Sequence, residues 1–132
     1  MVYHTKELIF TVLPNEIIKI VPNPDNDGTY RLETIEENLA VLHQAIAGKK
    51  RATLFDFPNV YIKKDVLKKY ANADIQSVAS ALLAKSSAAK FVGNLFLSIR
   101  KRLNSNRKRP IKIFTNKEVA TKWLLEELAN VK

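Results

Sequence analysis

Short runs of β-branched and aromatic residues alternate along this chain with longer stretches in which apolar side chains return every three or four positions. Runs of the first kind fit strands and the 3.6-residue period fits helices. The alternation therefore restricts the chain to an α/β sandwich, in which helices cover a sheet built by the strands between them. The series opens with two strands in succession: "ELIFTVLPNEIIKIVP" holds runs at 7–13 and 16–21 joined by Pro14-Asn15, which predicts a tight hairpin. "NPDNDGTY" follows with Pro24, Asn26, Asp27 and Gly28, a turn by its chemistry. Its likeness to a calcium loop ends there, because no acidic residue follows at EF-hand spacing.

"ETIEENLAVLHQAIAGKK" predicts a helix. Thr34 and Glu37 form a capping box, Ile35, Leu39, Leu42 and Ile46 make the apolar stripe, and Gly48 sits where a C-cap glycine belongs. His43 falls beside the stripe and reads as a solvated helix residue; with His4 in the terminal segment, no histidine metal site is expected. "RATLFDF" is the candidate central strand. After Pro58 the spacing predicts a long helix over 64–85, with Val66, Leu67, Tyr70, Ala71, Ile75, Val78, Ala79 and Leu82 inward. The Ala/Ser-rich second half of that helix should pack closely on its own sheet or on a second subunit. "AAKFVGN" reads as a strand ending at Gly93, "LFLSIRKRL" as a helix, "NSNRKRP" as a loop and "IKIFT" as a strand. "NKEVATKWLLEELANVK" reads as a last helix capped by Thr115 or Asn116, with Val119, Ala120, Trp123, Leu124 and Leu128 buried. The expected order is β-β-α-β-α-β-α-β-α in one domain over 1–132.

That size, with 46% hydrophobic and 27% charged residues, is enough for a core of its own. The absence of cysteine excludes a disulfide framework, a thiolate nucleophile and a cysteine metal site. The first residues lack the pattern of a signal peptide and no apolar run reaches membrane-spanning length, so a soluble, cytoplasmic protein is expected. No HExxH, Gly-rich phosphate loop or Gly-x-Ser-x-Gly occurs, and Gly28, Gly48 and Gly93 stand far apart. Neither enzymatic activity nor a cofactor is expected.

The hairpin start, "LFDFPNVYIKKDVLKKY", "AAKFVGNLFLSI" and "IKIFTNKEVATKWL" together resemble the STAS-like proteins of bacteria, which include the sporulation anti-sigma-factor antagonist and a looser group of uncharacterised domains. The ending Phe114, Thr115, Asn116, Ala120, Trp123 and Leu124 is similar to that second group. The resemblance covers nearly the whole chain. It implies a mixed sheet of four to five strands with an opening hairpin and helices mainly on one face, and a regulatory role by protein contact; a homodimer through the small-residue or hairpin surfaces is expected. In the antagonist a serine opening the helix after the central strand is phosphorylated. Leu54, Asp56, Phe57, Val60 and Ile62 match the framework around it, but the Asp-Ser-Ser-Gly positions read Lys63, Lys64, Asp65 and Val66, and no Ser or Thr occurs between Asp56 and Ser77. The phosphoacceptor is missing. Asp65 is then either a helix-start residue favoured by the dipole or a fixed charge that stands in for the phosphate on a partner surface formed with Lys63 and Lys64.

The net charge of +9 is confined to one segment: ten basic and no acidic residues lie between Ile75 and Lys117. Two triads, Arg100-Lys101-Arg102 and Arg107-Lys108-Arg109, flank a polar turn. They read either as a solvated helix end and loop, or as an anion contact that would bind phosphates with a steep salt dependence. Three readings follow. The first is a non-enzymatic interaction domain acting on a protein partner. The second is a binder of an anionic or lipid-like small molecule or of a membrane surface, since some proteins of this fold class hold apolar ligands between sheet and helices. The third is a nucleic-acid binder working through 100–109.

Overall fold

The computed structural model describes residues 1–103 and 109–131. Six strands form one mixed sheet in sequential order: β1 (Val2–His4), β2 (Leu8–Val12), β3 (Ile17–Pro22), β4 (Ala52–Asp56), β5 (Ser80–Leu83) and β6 (Ile111–Phe114). β2 runs antiparallel to its neighbours β1 and β3, and β3 to β6 run parallel. The predicted hairpin is β2–β3. The sheet has six strands rather than four to five, because the three-residue β1, too short to show a period, pairs its Tyr3 with Phe10.

Four helices complete the fold: α1 (Ile35–Ile46), α2 (Lys64–Ala71), α3 (Ser87–Arg102) and α4 (Lys117–Ala129). Each of the connections β3–α1–β4, β4–α2–β5 and β5–α3–β6 moves one strand further in the same direction. Right-handed crossovers then put all three helices on one face. They bury Phe10, Ile18, Ile20, Leu42, Leu67, Leu82, Val92 and Phe96 there. After β6 the chain crosses to the other face, where α4 sets Ala120 and Leu124 on Ile17, Ala52, Leu54, Ala81 and Leu83. Trp123 leans on Phe114 at 5.4 Å between ring centroids, with the Lys112 ammonium 5.3 Å above its ring. Val119, expected inside, is 55% exposed. Among the described residues no helix is long and apolar enough to cross a membrane.

Two predicted elements are reassigned. The helix expected over 64–85 stops at Ala71, and "SALL" is β5, buried along its whole length. A strand covered by helices on both faces has no polar side to alternate with, so its sequence looks like the buried part of a helix. The strand expected at "AAKFVGN" lies inside α3, which starts at Ser86, whose Oγ accepts from the Ala89 amide at 3.1 Å. The small residues of the second half of 64–85 do not carry a helix onto the sheet or a second subunit; they lie in and beside β5, where Ala79 and Ala81 pack with Ala120 and Leu124 of α4. Asn116 caps α4 as predicted, accepting from the Val119 amide. Thr34, by contrast, makes no cap bond at α1; its hydroxyl is committed elsewhere. The C-terminus of α1 turns through Ala47 and Gly48, both left-handed at φ 54° and 69°.

Candidate functional site

The segment that leaves the carboxyl end of β4 has two sides with different chemistry. Its backbone stays tied to the sheet through Phe57, whose amide donates to the Leu83 carbonyl at 2.9 Å. Pro58 then turns the chain, and Lys63, extended at φ −61° and ψ 144°, leads into α2. On the outer side Lys63, Lys64 and Asp65 are exposed, as a charged helix start requires. Asp65 Oδ1 accepts from the Val66 amide at 2.8 Å, one of the donors a helix start leaves over. Beside them stands a feature the sequence reading missed. Tyr61 is 71% exposed, Phe91 on the first turns of α3 is 57% exposed, and their rings meet edge to face with centroids 5.6 Å apart. Both aromatics sit next to residues assigned to other elements, so neither carried a periodic signal outward.

The inner side of the same segment walls a cavity of about 100 Å³ between the sheet and α2 and α3. Phe57, Pro58 and Ile62 close one end, and Phe55, Leu67, Leu82 and Phe96 line the middle. The polar side chains on its wall are Asp56, Tyr30, Tyr70, Ser80 and Arg109. A smaller lobe of about 20 Å³ adjoins it, sharing Leu8, Phe55, Tyr70 and Ile75 and adding Asn38.

A buried polar cluster stands at that end. Glu7, the residue before β2, is 1% exposed. Its Oε2 accepts from the Arg31 amide at 2.9 Å and from the Thr34 hydroxyl at 2.7 Å, which is why Thr34 does not cap α1. Its Oε1 accepts from Asn38 Nδ2 at 2.9 Å, and the same amide donates to Tyr70 Oη at 2.8 Å. Burial pushes the Tyr70 hydroxyl up to about 12, with the Glu7 charge adding to the effect; Tyr30 is pushed up to about 12 by burial and then by Glu7. Asn38 Oδ1 is buried and has no hydrogen-bond partner. A second buried polar group, Thr53, Ser77 and Ser80, closes on itself, with Thr53 Oγ1 and Ser80 Oγ 2.6 Å apart.

The basic segment is divided between two environments. Arg100 Nη2 donates to the Arg109 carbonyl at 3.0 Å, and Arg109 Nη1 donates to the Ile75 carbonyl at 2.8 Å, so these two guanidinium groups tie α3 and the approach to β6 into the fold. Lys101 and Arg102 are exposed at the end of α3. Arg107 and Lys108 lie outside the described residues.

No curated protein and no solved structure matches this chain. The family model described as Domain of unknown function (DUF7793) matches residues 11–127, which run from within β2 into α4, and the chain belongs to that family.

Proposed function

We propose that this chain is a non-enzymatic regulatory domain of STAS-like type that acts by contact with a protein partner at the outer side of the β4–α2 segment. The observation that carries this reading is the exposed Tyr61–Phe91 pair. Two large aromatic rings held against each other in water present apolar area with little rotamer freedom left to lose, as the anchors of protein interfaces do. The exposed Lys63 and Lys64 follow Tyr61 within three residues and the exposed Lys90 directly precedes Phe91, so the partner surface offers an apolar pocket with an acidic rim. Asp65 contributes a fixed negative charge at the helix start. With no Ser or Thr from 57 to 76, serine or threonine phosphorylation of that helix start is not part of the mechanism.

Co-purification from the host cell with variants alongside tests this. A partner held by the wild-type chain should be lost with Tyr61→Ala/Phe91→Ala and with Lys64→Glu, while the melting curves stay superimposable. A partner retained equally by both variants would sink the reading. Sedimentation of the purified protein separates self-association: a dimer that the aromatic double variant dissociates would reassign the surface to a second copy of the chain. The anion-contact reading has less support, because Arg100 and Arg109 spend donors on backbone carbonyls within the fold.

A further inference from the structure

We propose that the cavity beneath α2 binds a small, uncharged, mainly apolar molecule bearing one hydroxyl group, with that hydroxyl seated between Asn38 Oδ1 and Tyr70 Oη. The site is independent of the partner surface, since neither Tyr61 nor Phe91 lines it.

Size and lining set the body of the ligand. Space of about 100 Å³ walled by Phe55, Leu67, Leu82 and Phe96 suits a single ring or a compact branched chain. An engineered apolar cavity of ~150 Å³ stays dry and takes up benzene. The polar end is set by hydrogen bonds left unmade. Asn38 is 2% exposed, and its amide orientation is fixed because Nδ2 must face the Glu7 carboxylate. Its Oδ1 is thereby left as a buried acceptor with nothing to accept. Asn38 lines the smaller lobe of about 20 Å³, and a buried acceptor without a donor costs ~1–3 kcal/mol, so such an atom calls for an occupant there. Tyr70 Oη accepts from Asn38 Nδ2, which leaves its own proton to donate; no acceptor for it occurs among the described residues. One hydroxyl satisfies both: it donates to Asn38 Oδ1 and accepts from Tyr70.

Charge is disfavoured at the Asn38 end for two reasons. Glu7 is a carboxylate with no ion-pair partner among the described residues, its Oε1 one hydrogen bond behind Asn38, so an anion there would be repelled. A cation seated there would lose its hydration while every Glu7 oxygen is already engaged, and the charged side chains of the wall, Asp56 and Arg109, line the larger lobe and not the one that holds Asn38.

The test is titration of the full-length ¹⁵N-labelled chain at pH 7 with phenol, toluene, benzoate and benzylamine, followed by amide shifts. Phenol and toluene have the same number of heavy atoms and differ in the hydroxyl. Phenol should bind at least as tightly as toluene, with shifts at Phe55, Leu67 and Leu82, and the two charged probes should bind at least tenfold more weakly. In Tyr70→Phe the phenol affinity should fall about tenfold while that of toluene holds. If that variant does not fold, Leu82→Phe, which fills the cavity, should abolish both sets of shifts. Phenol binding more weakly than toluene in the wild-type protein would assign Asn38 Oδ1 to a water molecule and overturn the hydroxyl site. An absence of saturable shifts with either neutral probe would overturn the cavity as a site altogether.

Discussion

Glu7 is the residue on which the most distant parts of the fold depend. It joins β2 to the turn before α1, to α1 itself through Asn38, and to α2 through Tyr70. Each carboxylate oxygen faces a donor, so Glu7→Gln would turn an NH₂ group toward another donor. The expected cost is ~2–3 kcal/mol, read as a lower urea midpoint at unchanged slope. The two tyrosines give the cluster a pH signature. The folded chain holds their protons up to about 12, whereas the unfolded chain releases them near 10. Stability from this source is complete below pH 10 and is lost as pH rises toward 12. After discounting for solvent at the edge of the cluster, the loss is on the order of 2 kcal/mol for the pair, and Tyr70→Phe should make the fall shallower. None of this was legible in the sequence. Glu7 stands 31 residues from Asn38, and Asn38 stands 32 from Tyr70. A single acid opening an apolar run reads as the end of a strand. The exposed Lys63, Lys64 and Asp65 were legible, because a helix start has local rules.

At the scale of elements, the sequence was clear where a wet face or flanking turn residues mark the element, as Gly48 and Pro58 bracket β4, and misleading at β5, where neither does. The β2–β3 hairpin and α4 with its Asn116 cap follow from pattern, since each keeps a wet side. β5 keeps none, and "SALLA" continues the stripe of α2 without a break in period; only Ser86-Ser87 marks where a helix begins again. Gly93 misled in the same way. It suggested the end of a strand, yet it lies mid-helix because α3 comes close to β6 there: an added Cβ would meet Ile113 Cδ1 at 3.2 Å. That atom is the end of a side chain and can give way, and alanine gains ~1 kcal/mol in helix propensity, so Gly93→Ala should change stability by less than ~0.5 kcal/mol. Gly93→Leu has nowhere to put its branch, with Phe57 Cε2 also 3.7 Å away, and should cost ~2 kcal/mol or more in denaturant unfolding.

For the molecule as a whole, the sheet separates two compartments. The cavity, the Glu7 cluster and the Tyr61–Phe91 pair belong to the side of α1, α2 and α3, while the single tryptophan, Trp123, belongs to the side of α4. Trp123 emission is therefore a reporter of one face only. Leu124→Ala, which opens a hole between α4 and the fully buried Ala52 and Leu54, should cost ~2–5 kcal/mol and shift that emission to the red. Tyr61→Ala/Phe91→Ala removes area that already faces water and should leave the unfolding midpoint within ~0.5 kcal/mol and the emission unchanged. The contrast is informative because β4 and β5 lie between the two faces, sending Leu54 and Leu83 to one and Phe55 and Leu82 to the other. If filling the cavity with phenol moved Trp123 emission, the sheet would have to shift as a body, since among the described residues those that line the cavity and those packed with α4 are different sets. A closely packed sheet resists such a shift, so the expected result is an amide response confined to the α1–α3 face with Trp123 emission unmoved.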